Sequence, residues 1–348
     1  MASLRARRLG LALFTLLLGL GTCEVVLRVA WRKTKPAGEQ SWHEYDERLG
    51  WRNKKSFETK VDRTPDTPSL PVPFVVRLNA QGLRDDRDMA PEPSAGVTRI
   101  ACLGDSFTFG YRIAGADSYP KRLEVELGPE FEVWNWGVCA YGLDQFVLLL
   151  DEVLASKPRL VVIGVIDMSF RRATSSHFQD GTGKPRFYLD DGALVLTNVP
   201  VPVVRPGDSY SKLDVRGSSY LLAGVERAFA NLSVKLSKDP EAASEDWQLG
   251  RALLLEAERR CASHGARLAV ALLPQKQLLG EDRYARLLPS LGPEGVRVID
   301  LYPAFLSRPK EEIPALYGPD GHPSELGARA IAVALASELR ARGLLAPR

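Results

Sequence analysis

Cysteine and histidine are scarce in this chain: four of each occur in 348 residues. Cys23, Cys102, Cys139 and Cys261 form no CxxC pair, which excludes the common zinc-site spacings. They are also too few for a disulfide-built scaffold. No cluster with metal-ligand spacing and no phosphate loop is present. Gly110 and Gly115 flank no helix-opening Gly-x-Gly-x-x-Gly fingerprint, so neither a metal nor a cofactor is expected. A large excess of one charge is lacking as well. The net charge is only +3, no basic patch is interleaved with aromatics, and nucleic acid is not an expected partner. Internal repeats and long low-complexity segments are absent. What remains is an ordinary globular composition, 45% hydrophobic and 26% charged, in a chain long enough for one large domain with additions or for two domains.

The long hydrophobic run lies at the N-terminus. Arg5, Arg7 and Arg8 precede LGLALFTLLLGLGTCEVVLRVAW. The uncharged part, Leu9 to Cys23, approaches the roughly 20 residues that span a bilayer once Glu24 is tolerated at the interface. An uncleaved signal anchor, a cleaved signal peptide, a lipoprotein signal ending at Cys23 and a buried soluble helix all fit a run of this kind. No small-x-small cleavage site stands out, and Thr22 sits where a lipoprotein signal calls for a smaller residue. The anchor is the expectation: residues 1–8 cytoplasmic, 9–30 in the membrane and the bulk of the chain exported. Arg28, Arg32, Lys33 and Lys35 beyond the run blur the orientation signal and suit contact with anionic headgroups.

Residues 31–95 are rich in charge and proline (RTPDTPSLPVP) and carry no sustained periodicity, as in a lead-in segment partly packed on the main domain. From residue 96 the pattern becomes regular. Strands are expected at Thr98–Leu103, Phe131–Trp136, Arg159–Ile166, Arg267–Leu273 and Val296–Leu301. Helices are expected at Ser118–Leu127, Leu143–Ala155, Trp247–His264 and Ser324–Arg342. Five short apolar strands alternating with helices argue for an α/β fold with a parallel sheet covered on both faces. The alternation breaks at about 171–246, where KPRFYLDDGALVLTNVPVPVV reads as a hairpin around Asp190-Asp191-Gly192 with a proline-rich exit. That β-rich insertion in the 96–348 domain is either a packing embellishment or a lid.

LGDSFTFG at 103–110 ends the first of these strands on a Gly-Asp-Ser turn. Such a turn is common, but the carboxyl edge of an open α/β sheet is also where sites form. A serine nucleophile needs a base and a group that orients it. His43 lies in the lead-in segment and His177 in the insertion, while His264 ends a helix, where an imidazolium suits the C-terminus. His322, in GPDGHPSELGARAIA, sits in a loop on the same sheet edge as Ser106, with Asp320 two residues before it and Ser324 placed to cap the last helix. Backbone N–H groups of Ser106 and of Gly137, in NWGVCAYG, are candidate oxyanion donors.

The order LGDSFTFG, VWNWGVCAYGLDQ, LVVIGVID and DGHPSELGARAIA resembles the SGNH or GDSL hydrolases. CEVVLRVA, RLGWRNK, LNAQGLRDDRD and the KPRF…NVPVP insertion extend the likeness to their membrane-anchored bacterial members, over nearly the whole chain. The resemblance implies a three-layer flavodoxin-like fold with a five-stranded parallel sheet. It implies a single-pass bacterial membrane protein whose catalytic domain is periplasmic or extracellular. It also implies ester hydrolysis through an acyl-serine: Ser106 as nucleophile, His322 as base, Asp320 as orienting acid, Ser106 and Gly137 as oxyanion donors, and Asp105 as a residue holding the loop. The substrate class is an ester, such as an O-acyl group on an envelope polysaccharide or lipid.

Two features depart from the family's pattern. Ile166 stands where the third block, Gly-x-Asn-Asp, carries an asparagine donor, and loss of such a donor costs about 10²–10³ in rate. One residue rather than two separates Asp320 from His322. Glycan binding or scaffolding by a degenerate relative, and acyl transfer with the same triad, therefore stand as alternatives. Tyr111, Tyr141, Asp167 and Arg171 are candidate substrate contacts, and Arg172 beside them is either a carboxylate reader or solvated. Trp134 and Trp136 are expected in the core. Cys102 and Cys139 read as two small buried hydrophobes rather than a disulfide pair.

Overall fold

The three-dimensional structure, a computed structural model, describes residues 2–34, 42–62, 73–179, 181–203, 209–211 and 219–346. The chain opens with helix α1 (Ala2–Ala30) and strand β1 (Arg32–Thr34). Strands β2 (His43–Asp46) and β3 (Gly50–Asn53) pair as one hairpin, and β4 (Phe57–Val61) and β5 (Phe74–Leu78) pair antiparallel as well. Next come β6 (Thr98–Gly104), the one-turn α2 (Ser106–Phe109), α3 (Tyr119–Leu127), β7 (Phe131–Gly137), α4 (Leu143–Ala155), β8 (Leu160–Val165) and α5 (Asp167–Ala173). A hairpin of β9 (Arg186–Asp190) and β10 (Ala193–Thr197) follows, then β11 (Ser209–Ser211) and α6 (Tyr220–Leu236). The chain closes with α7 (Glu245–Ser263), β12 (Arg267–Leu272), α8 (Arg283–Leu287), β13 (Arg297–Asp300), α9 (Tyr302–Leu306) and α10 (Glu325–Ala341).

The chain groups into two units: Gly38–Phe178 with Gly183–Val203 and Glu245–Arg348, and Met1–Ala37 with Gln179–Thr182 and Val204–Ser244. In the larger unit, β13, β12, β8, β6 and β7 lie side by side in that order, every neighbouring pair parallel. Numbered by appearance in the sheet, the order is 5-4-3-1-2, the doubly wound arrangement. The fold is thus α/β with a five-stranded parallel sheet, as expected. Helix α3 packs with α10, and α4 and α5 pack with α7. Strand side chains alternate between faces. Ile100 and Cys102 of β6 join Leu123 of α3 and Ile331 and Leu335 of α10 in one core, while Ala101 and Leu103 are buried at the alternate positions. Strand β8 is buried along its whole length, as a central parallel strand must be.

The lead-in segment is more ordered than its composition suggested. Phe74, Val76 and Leu78 alternate with exposed residues in β5. With Trp42 and Val61 they form a second core against Phe109, Tyr111 and Cys139, next to the Gly-Asp-Ser turn. The hairpin around Asp191 forms as expected, but the region 171–246 is divided between the units. Residues 183–203 group with the sheet, whereas 204–244 group with the N-terminal helix. All four cysteines are free, with Cys102 and Cys139 buried. Trp134 and Trp136 are buried too.

In the smaller unit β1 pairs antiparallel with β11, and α1 packs with α6. Glu24 of α1 accepts hydrogen bonds from Ser219 Oγ, Tyr220 N and Leu221 N at 3.0, 2.9 and 2.7 Å. The apolar stretch of α1 within Ala6–Ala30 is long enough to cross a membrane and is unburied in this structure.

Candidate active site

Position 104, the last of β6, has room only for glycine: a Cβ there would lie 1.9 Å from Thr108 Oγ1. The chain folds straight into α2. Asp105, fully buried, accepts a hydrogen bond from Phe107 N at 3.0 Å, which caps the turn. Its other oxygen meets Arg172 Nη1 at 2.8 Å. Arg172 also donates to Tyr141 O at 3.1 Å, so this arginine ties the serine turn to the loop after β7. From the lead-in segment, the buried Arg84 donates to Phe109 O at 2.8 Å and to Ile113 O at 2.6 Å, with its guanidinium 4.4 Å from the Phe109 ring centroid. Asn135 Nδ2 reaches Thr108 O at 2.9 Å. Three elements distant in sequence thus hold the turn that presents Ser106.

His322 comes from the loop before α10. Gly321 takes φ +83°, a left-handed conformation suited to glycine, and Gly318 N donates to His322 O at 2.7 Å. Ser324 caps α10 at Gly327 N, 3.2 Å away, as expected. This loop brings His322 Nε2 within 2.8 Å of Ser106 Oγ. On the far side of the ring, His322 Nδ1 is 3.0 Å from Asp320 Oδ2. The same oxygen lies 3.0 Å from Arg112 Nε. Both contacts run oblique to the N–H directions, as is common before a substrate tightens a site. Arg112 adopts φ +70°, uncommon for a residue with a Cβ, and its side chain is only 5% exposed.

Burial is the strongest single influence on the Asp320 carboxyl and favours protonation. The close approach and charge of the His322 ring, the His322 backbone N–H and the charge of Arg112 together outweigh it and hold the group below its ordinary value. The ring centroids of Phe107 and Tyr111 lie 5.4 and 4.9 Å from that of His322. A cavity of about 320 Å³ opens on the acid side of the imidazole, lined by Tyr111, Arg112, Ile113, Asp320, His322 and Leu326 among others.

The structure therefore brings Ser106, His322 and Asp320 together and places Tyr111 beside them, its ring largely buried. Other candidates lie differently. Gly137 N–H is held by Asn135 Oδ1 at 2.9 Å. A Cβ at 137 would fall 2.3 Å from Phe109 N, so the glycine serves close packing and its N–H is already engaged. Tyr141 is fully buried, with its ring edge-on to Trp51 at 5.5 Å and its hydroxyl donating to Trp51 O. It is a core residue, not the open substrate contact expected. Asp167 and Arg171 form an ion pair with each other one turn apart, at 2.7 Å. Ile166 is buried in the core that contains Phe107, and the N–H of Asp167 is taken by Gln275 Oε1 at 2.9 Å.

The sequence reading missed Arg112, Arg84 and Asn135 as supports of the site. Asn135 carried a local signal, two residues before a strand-ending glycine. The two arginines carried none, because their partners are remote in sequence or backbone carbonyls.

No family model matches this chain, and no curated protein matches it. Among solved structures, it is similar to a protein from Desulfitobacterium hafniense DCB-2 titled as a lipolytic protein of the G-D-S-L family. Identity is 17% and the TM-score 0.40, over 69% of this chain and 98% of that one. An aryl esterase of M. smegmatis is similar at 16% identity and a TM-score of 0.37, over 70% and 99%. LAE5, an alpha/beta hydrolase enzyme from the metagenome of Lake Arreo, is similar at 17% identity and a TM-score of 0.39, over 72% and 97%.

Proposed function

We propose that this protein is a serine ester hydrolase held at a bacterial membrane by α1, with its larger unit on the periplasmic or extracellular side. One observation carries the reading: a single imidazole lies 2.8 Å from a serine hydroxyl through one nitrogen and 3.0 Å from a buried carboxylate through the other. That is the arrangement a nucleophile, base and orienting acid require. In this reading Ser106 Oγ attacks the ester carbonyl carbon while His322 Nε2 takes the hydroxyl proton. The charge that develops on the imidazolium is balanced by Asp320. Collapse of the tetrahedral intermediate breaks the bond to the leaving alcohol, which receives the proton from His322. Water, deprotonated by His322, then cleaves the acyl-serine and regenerates the site.

Arg112 acts in this scheme as a positioning residue that keeps Asp320 ionised and in place. For the oxyanion, the Ser106 N–H is one donor. Because Gly137 N–H is engaged by Asn135, the second donor is assigned to the next part of the loop, at Ala140. Its φ of +70° is the kind of backbone strain found at sites. The substrate class is an ester of the cell envelope, an O-acyl glycan or a lipid, and water or a sugar hydroxyl accepts the acyl group.

The test is hydrolysis of p-nitrophenyl esters of increasing acyl length by the full chain in detergent. Turnover that disappears in both Ser106→Ala and His322→Ala supports the reading. Turnover unchanged in either variant removes it. A folded chain with no turnover and no serine reactivity points instead to a binding protein with Ile166 in place of a donor.

A further inference from the structure

Helix α6 presents an apolar face to solvent. Leu222, Val225, Phe229, Leu232 and Leu236 recur every three or four residues and are 43–77% exposed. This spacing places all five on one side of the helix, as a stripe about 20 Å long. Arg227 and Asn231 occupy the opposite side, Lys235 flanks the stripe, and all three are exposed. Cover is greatest at the start of α6. Ala223 is buried, and Gly224 lies against Trp31, a Cβ there falling 3.3 Å from that ring. A contiguous apolar stripe of this size on a soluble surface marks an interaction face.

Its position indicates what covers it. The N-terminus of α6 is held by Glu24, the first charged residue after the uncharged run of α1, through Ser219, Tyr220 and Leu221. The guanidinium of Arg28, one turn on, sits 5.0 Å from the Tyr220 ring centroid. Helix α6 therefore begins at the level where the apolar stretch of α1 gives way to charge, which for a spanning helix is the edge of the hydrocarbon layer. An amphipathic helix starting at that depth, with basic residues opposite and beside an aromatic and aliphatic face, has the design of an interfacial helix.

We propose that α6 lies in the headgroup plane of the bilayer that α1 enters. Leu222, Phe229 and Leu236 reach the upper acyl chains, and Arg227 and Lys235 face the phosphates. The proposal rests on the reading of α1 as a membrane anchor.

The experiment uses the full chain in vesicles of phosphatidylethanolamine and phosphatidylglycerol. In a Cys23→Ser background the remaining cysteines are buried, so a nitroxide can be placed selectively through Phe229→Cys or Asn231→Cys. Flotation after alkaline extraction reads the anchor, and collision with oxygen or an aqueous nickel complex reads the depth of each label. The expected result is a floating protein in which the 229 label favours oxygen over nickel severalfold and the 231 label the reverse. A floating protein whose 229 label favours nickel overturns the placement of α6 and leaves the anchor standing. A 229 signal broadened between copies, and sharpened by dilution with unlabelled protein, overturns it in favour of a second chain. A protein that does not float overturns both. Serine labelling by a fluorophosphonate, equal to that of the parent, checks that each labelled variant is folded.

Discussion

Strands β6 and β8 leave the sheet in the same way and deliver opposite things. Each is a fully or almost fully buried parallel strand that ends at the carboxyl edge and enters a short helix. After β6 comes Asp105-Ser106, with Asp105 gripped by Arg172 and the serine hydroxyl facing His322. After β8 comes Ile166-Asp167, with the isoleucine turned into the core and the aspartate paired with Arg171. The difference lies in what arrives from elsewhere in the chain. The β6 turn is held by Arg84, Asn135 and Arg172 and is met by the 318–322 loop, while the polar residue of the β8 turn pairs chiefly within its own helix. A sheet edge makes a site available, and distant residues decide which strand end uses it.

The largest expected effect breaks the β6 side directly. Ser106→Ala and His322→Ala should each lower ester turnover by about 10⁴-fold or more, with unfolding midpoints close to the parent, read by assay and by denaturant titration. Arg172→Ala should come next. It leaves the Asp105 carboxylate buried without its cation, a loss of about 3–5 kcal/mol, so the midpoint should fall sharply and turnover with it. A midpoint unchanged in Arg172→Ala would mean that the turn does not depend on that pair.

Arg112→Met should reduce turnover about tenfold and raise the pH at which acid begins to destabilise the folded chain, with Arg112→Lys recovering part of both. The sign follows from Asp320. Its carboxyl is held below the ordinary 3.8, partly by the charge of Arg112, so removing that charge raises it and protonation begins at higher pH. The depressed value also stabilises the folded chain above the ordinary carboxyl range, a contribution lost as pH falls through the folded value. Turnover and acid stability equal to the parent in both variants would show that Arg112 only packs.

On the β8 side the expected effects are smaller. Ile166→Asn buries an amide among apolar neighbours and should cost about 1–3 kcal/mol of stability with little gain in rate. A clear rise in rate would instead identify a missing oxyanion donor. Arg171→Ala, which loses one half-exposed ion pair, should change stability by less than about 1 kcal/mol and turnover by less than about twofold, ~0.4 kcal/mol in barrier.

The sheet was legible because its strands are buried on both faces and read as unbroken apolar runs; Ser106, Asp320 and His322 were candidates from their places at the end of a strand and in the loop before the last helix, and it was the order of the motifs that singled them out as a set. The lead-in hairpins were not, since strands of four or five residues with one exposed face give little pattern; the alternation in β5 was the one available cue. Gly137 looked like a donor from its place at a strand end, and only the structure places Asn135 on its N–H. Tyr141 looked open because loops usually are, yet it fills the space under Trp51. Helix α6 carried a clear stripe at helical spacing inside a stretch read as a β-rich insertion, which the 17-residue helix corrects.

The account turns on whether Ser106 is activated by His322, and the most direct measurement is the intact mass of the folded full chain after exposure to a small fluorophosphonate. One stoichiometric adduct, absent from both Ser106→Ala and His322→Ala, is the predicted result. A folded chain that takes no adduct, or one that His322→Ala labels as readily as the parent, would contradict it.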